Sequence, residues 1–160
     1  MKSLNSLPYD VANTIEGSMI ASGVASPIGA FVPWVDMAAI SCIWATMFYK
    51  IGEYHNVSFT KTECTKIVTA CSSAVMAYVA GSKFLNWALN LIPCVGQLGA
   101  ATGNTLLNVF YTKSLGVGFH KMLETEDING RTIAEIGKLV VRHCVMIPSL
   151  SELKDCFNLV

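Results

Sequence analysis

Three histidines and six cysteines are the residues of this 160-residue chain whose chemistry suits metal binding or nucleophilic attack. His55, His120 and His143 show no metal-ligand spacing among themselves, and the adjacent His143 and Cys144 point to different sides of any helix that holds them. Cys42, Cys64, Cys71, Cys94, Cys144 and Cys156 include no C-x-x-C pair. They lie mostly in apolar segments, where a free thiol behaves as a small hydrophobe. The thiols are therefore expected to be reduced, in an intracellular compartment. A Cys–His nucleophile needs a base placed against one particular thiol, and no local pattern does this. Gly137-Lys138-Leu139 lacks both the glycine-rich lead and the hydroxyl of a phosphate loop. The expectation is a chain that is not an enzyme, with no catalytic residue, no cofactor and no metal.

Chemistry of another kind, packing, is written more clearly. Gly96, Gly99 and Gly103 recur at intervals of three and four, which puts them on one helical face. Gly99-x-x-x-Gly103 has the small-residue spacing that lets two helices approach closely in a membrane. Each Gly costs roughly 1 kcal/mol against Ala in a helix, so the cluster argues for close backbone contact rather than propensity. Gln97, Asn104 and Asn108 form an amide stripe on the same helix, suited to hydrogen bonds between helices or, as a further reading, to a polar pore. Asp36 falls in the first turn of an earlier helix, where it meets the partial positive charge of the helix N-terminus. Its other reading is a membrane-embedded carboxylate, which needs a partner. These seven residues are the candidate interaction site.

The elements that hold them follow from composition and period. The chain is 52 % hydrophobic and 14 % charged, with a mean hydropathy of +0.49. An ordinary soluble domain carries roughly 25 % charged residues. Eleven basic and eleven acidic residues cancel without forming a basic stripe, so nucleic acid is not an expected partner. Met1 to Asp10 has no continuous apolar run after its charge and does not read as a secretory signal.

Val11, Ile15 and Met19 predict a short amphipathic helix starting near Pro8 or Asp10, followed by a close-packed or broken helical passage from Gly17 to Gly29. Pro33 to Lys50 reads as the first strong helix, with Met37, Ile40, Trp44, Met47 and Phe48 on its apolar face and Gly52 beyond its end. Thr60-x-x-Glu63 has capping-box spacing and opens a helical pattern, one long helix or two collinear pieces, through Ile92. Pro93 and Val95 then open a central helix expected to run to about Tyr111. Pro33 to Gly52 weakly resembles Pro93 to Gly116 in its start and stop signals, which predicts that these two helices run parallel. Asn129-Gly130 marks a turn. Thr132-x-x-Glu135 opens an amphipathic helix carrying Ile133, Ile136, Leu139, Val140, Cys144 and Ile147, ended by Pro148. Ser149-x-x-Glu152 starts a last short helix expected to dock on the core. The fold class is all-α: one helical domain over 1–160, with an apolar unit at about 24–118 and an amphipathic tail at about 119–160.

The order of several motifs resembles one family. Val32-Pro33-x-x-Asp36, the Met47 to Gly52 helix exit, Leu91-Ile92-Pro93-x-Val95-Gly96, and Ser114-Leu115-Gly116 followed by Phe119 and a polar stretch to Gly130 are together similar to the YcjF-type helical domain of unknown function. In many bacterial proteins that domain follows a small GTPase. The resemblance covers about Val24 to Val141 and implies an α-helical, membrane-associated module serving GTPase-linked signalling or envelope functions. It brings no catalytic residue with it, and the expectation is a module that stands without the GTP-binding domain. The expected function is a non-enzymatic, membrane-associated scaffold or GTPase-linked accessory module acting through helix packing and self-association. The alternatives are a soluble cytoplasmic oligomeric adaptor for a separate GTPase and a pore component. A second copy of the chain, membrane lipid and a separate GTPase are the expected partners.

Overall fold

The computed structural model describes residues 4–29, 35–81, 97–145 and 149–157, and these form helices and connecting turns with no strand among them. The fold is all-α. The helices are α1 (Tyr9–Gly29), α2 (Val35–Tyr54), α3 (Lys61–Gly81), α4 (Gln97–Thr125), α5 (Ile133–His143) and α6 (Leu150–Phe157). Helix α4 touches α1, α2, α5 and α6, while α3 packs on α2 and α5.

Val11, Ile15 and Met19 are buried against this centre, as their spacing expects. The helix they begin does not stay short: α1 runs unbroken to Gly29. The Ser18 hydroxyl donates to Thr14 O and that of Ser22 to Met19 O, both at 2.8 Å. These hydroxyls are thus satisfied inside the helix and do not force a break.

Two expected stops are likewise overridden. Gly52 lies inside α2, which ends at Tyr54. A Cβ at Gly52 would lie 3.1 Å from the Phe59 ring and 3.2 Å from Val57 O, so this glycine lets the returning chain come close. The actual stop is Asn56 in the left-handed region, with φ 57°. Asn56 N–H donates to Glu53 O at 3.0 Å and Val57 N–H to Gly52 O at 2.9 Å, the paired bonds of a Schellman cap. Helix α4 continues past Tyr111, through Gly116 and Gly118, to Thr125. A Cβ at Gly116 would lie 2.7 Å from Ile15 Cγ1 and 2.9 Å from Met47 Sδ, and one at Gly118 would lie 2.7 Å from Cys144 Sγ. Both glycines are contact positions on opposite neighbours.

Helix α2 runs parallel to α4, the direction expected. Trp44 Nε1 donates to Thr112 Oγ1 at 2.8 Å, Phe48 stacks on Phe119 with centroids 4.1 Å apart, and His55 reaches His120, so the two chains advance together. The three capping boxes form as read. Thr60 and Thr132 amides each donate to Oε2 of the glutamate three residues on at 2.8 Å, and the Ser149 amide does so at 2.9 Å. Helix α5 ends at His143, earlier than the expected Ile147, because Cys144 turns extended (ψ 144°) and Val145 O accepts the Ser114 hydroxyl at 2.7 Å. Pro33, Pro93 and Pro148, which were expected to start or end helices, lie outside the described residues, as does the reach from Ser82 to Ile92.

Candidate functional site

The interaction residues read from the sequence divide by what the structure describes. Gly96 lies outside the described residues. Gln97, Gly99, Gly103 and Asn104 fall in the first turns of α4 and Asp36 in that of α2, with their side-chain surroundings outside the described residues. Asn108 is half-buried, and its carbonyl accepts the Thr112 hydroxyl at 2.7 Å, next to the Trp44 bond. Close helix contacts among the described residues are found at Gly116, Gly118 and Gly137. A Cβ at Gly137 would lie 2.6 Å from Ala70 Cβ, which brings α5 onto α3. One signal marked these positions: apolar residues at helical spacing continue on both sides of each glycine (Leu115, Phe119 and Met122; Ile136, Leu139 and Val140) without turn-forming neighbours.

Among the described residues, one uncovered helix face lies on α1 and carries branched aliphatic side chains. Opposite the buried Val11, Ile15 and Met19, the residues Asn13, Gly17, Ile20, Ala21 and Val24 are all exposed and share one face. Ile20 is 47 % and Val24 72 % exposed, and a Cβ at Gly17 would meet nothing within 4 Å. From Asn13 onward this face carries no charge. Its small residues, Gly17 and Ala21, are four apart and flanked by two branched aliphatic side chains. Single exposed apolar residues are ordinary on proteins, but a contiguous uncharged row on one helix is the geometry of a contact surface. Among the described residues, no helix is long and apolar enough to cross a membrane.

A second constellation could not be read from local spacing. The Schellman cap leaves His55 as the last residue of the α2 turn, and His120 follows Phe119 on the parallel α4. Their rings meet across a separation of 65 residues, with His55 Nε2 2.8 Å from His120 Nδ1. His120 Nε2 lies 3.2 Å from Glu124 Oε1, one turn further along α4, and His120 is 1 % exposed. The carboxylate can only accept, so Nε2 of neutral His120 carries the proton. Its Nδ1 then accepts from the Nε2–H of His55, which leaves Nδ1 of His55 as the basic end of the chain. The Tyr54 ring packs edge-on to His55 at 5.2 Å.

Burial lowers the proton affinity of both imidazoles below the usual histidine value, with Glu124 acting in the opposite sense on each. Two nitrogens bound to one tetrahedral zinc stand about 3.3 Å apart, so the 2.8 Å contact is a hydrogen bond. Among the described residues, no group of three or more histidine, cysteine or acidic side chains is placed to hold a metal ion. His143 stands apart, 3.5 Å from Glu126, which also lies 3.7 Å from Arg131. Burial pushes the Cys64 thiol up to about 11 and that of Cys144 to about 12, and raises Cys71 further still. These stay neutral thiols near pH 7, poor as nucleophiles and well suited to packing.

Searches of protein-family models, of curated proteins and of solved structures each found no match to this chain. The resemblance to YcjF-type domains therefore rests on the motifs of the chain itself.

Proposed function

We propose that this chain is a non-enzymatic helical scaffold that associates with a second copy of itself, in contact with a membrane, through the outward face of α1. The observation that carries this reading is the uncharged row Asn13, Gly17, Ile20, Ala21 and Val24, uncovered on a helix whose opposite face is fully packed. Two such faces fit each other: the open Gly17 of one copy takes the branched side chains of the other, as small-x-x-x-small contacts do. The low charged fraction and positive mean hydropathy support an apolar working environment. The YcjF-type resemblance adds a separate GTPase as the first partner to seek by co-purification.

The test is solution mass together with extraction behaviour. Val24→Glu introduces a charge at the more exposed of the two branched side chains of the contact and should reduce the assembly to monomer while leaving helix content unchanged. Unchanged mass would count against self-association through α1. Release from cell membranes by high salt or carbonate marks peripheral attachment, and recovery with the soluble fraction without any wash would overturn membrane contact.

A further inference from the structure

The chain Glu124–His120–His55 ties the end of α2 to α4, and its hydrogen bonds run in one direction. His120 Nε2–H points at Glu124, His55 Nε2–H points at His120 Nδ1, and Nδ1 of His55 is the free acceptor. A first proton added there leaves both bonds in place, because His55 still donates from Nε2. A second proton finds one acceptor left, His120 Nδ1. It sets two N–H groups of two cations against each other across 2.8 Å, and no hydrogen bond survives that.

The charged groups acting on the rings are Glu124 and Lys121, both on α4. Glu124 favours protonation of each ring, Lys121 opposes it at His120, and the charge of His55 opposes that of His120. From α2 the Tyr54 ring lies 5.2 Å from His55 and 6.5 Å from His120. Among the described residues, no charged group of another helix acts on either ring. One carboxylate therefore meets two imidazolium ions and a lysine once both rings are charged.

The two rings differ in their freedom to separate. His120 is 1 % exposed in the interior of α4, whereas His55 is half-buried at the very end of α2, beside the left-handed Asn56. From there to the Thr60 cap of α3 the chain is held by two amide bonds, Asn56 to Glu53 O and Val57 to Gly52 O, and by the Phe59 ring, 5.9 Å from that of Phe119. We propose that double protonation of His55 and His120 is a switch that swings His55 and the 55–59 connection off α4 and uncovers the Phe59–Phe119 contact, while the helices stay packed. The first proton leaves it shut, so opening needs more acid than charging one histidine does. The device belongs to the α2–α4 seam and does not depend on self-association through α1.

The test follows the full chain from about pH 8 down to 4.5, a range in which the capped Glu63 and Glu135 stay ionised. Ring nitrogen shifts report each protonation. Hydrogen exchange of the 55–59 amides, corrected for its intrinsic pH dependence, reports opening, and that of the 109–115 amides reports global unfolding. Two ring steps are expected, with protection at 55–59 unchanged through the first and lowered roughly tenfold or more by the second, while 109–115 stay protected. His55→Gln retains an amide that can donate to or accept from His120 and cannot be charged, so 55–59 should remain protected down to pH 4.5. Glu124→Gln removes the carboxylate that pairs with the cation of the second step, so opening should move to lower pH. Opening at the first step, no opening by pH 4.5, equal loss at 55–59 and 109–115, or opening that persists in His55→Gln would each overturn the proposal. Should His55→Gln fail to fold, Glu124→Gln decides: an unchanged or higher opening pH contradicts the switch.

Discussion

Gly17 and Gly116 are the same residue, each in the interior of a long helix, and their surroundings are opposite. A Cβ at Gly116 would collide with Ile15 and Met47, whereas one at Gly17 would meet open space. Gly116 closes a contact within the molecule between α4, α1 and α2. Gly17 lies on the outward face of α1, where no part of the described chain covers it. A helical glycine therefore has two uses here, and only its neighbours in space tell them apart: one is a completed contact, the other a contact still available.

Substitutions that separate these two regions range from severe to slight. Phe119→Ala removes a fully buried ring stacked on Phe48 and should cost about 3–5 kcal/mol in stability, read by denaturant unfolding. Gly116→Ala forces Ile15 and Met47 aside, and the overpacking should cost about 1–3 kcal/mol despite the better helix propensity of Ala. Gly17→Ala meets nothing within one copy and, placed on the monomeric Val24→Glu background, should stabilise by roughly 0.5–1 kcal/mol. Opposite signs for these two glycines would sharpen the contrast; a loss at Gly17 as large as that at Gly116 would break it. Thr132→Ala removes the exposed N-cap of α5 and should lower Tm by only about 2–4 °C.

Acid distinguishes the interior seam in another way. In the folded chain His55 and His120 bind protons less readily than the ordinary 6.5, chiefly because burial disfavours the cation. Below pH 6.5 the unfolded chain then takes up more protons than the folded one, so this contribution to stability is present above 6.5 and is lost as the pH falls through and below that value. Charges acting on the pair are Glu124, which favours protonation, and Lys121, which opposes it. Tm should fall between pH 7 and 5, and His55→Asn should flatten that fall. The Thr-capped Glu63 and Glu135 are held below the ordinary 4.5, so their stabilising contribution is lost only as pH drops below 4.5. A Tm flat down to that point would contradict the histidine account.

How much of this was legible depended on range. The capping boxes at Thr60, Thr132 and Ser149 could be read because cap and glutamate are three residues apart. The buried stripe Val11–Ile15–Met19 and the exposed Arg131, Glu135, Lys138 and Arg142 followed from helical period in the same way. Gly52 and Gly116 were misread as stops, since glycine marks both helix ends and close approach, and the deciding atoms belong to Phe59, Val57, Ile15 and Met47. The His55–His120 bond was invisible because it depends on two parallel helices meeting in register across 65 residues. The outward face of α1 was hidden for a related reason: the Gly17–Gly29 passage has the same composition whether it is covered or exposed.

The most direct measurement is the solution mass of the full chain beside its Val24→Glu variant, with Tm recorded for both. A multimer for the parent and a folded monomer for the variant, with a Tm lowered by no more than the lost association, are the result expected if the outward face of α1 is the self-association surface. Equal masses with equal Tm values would contradict it.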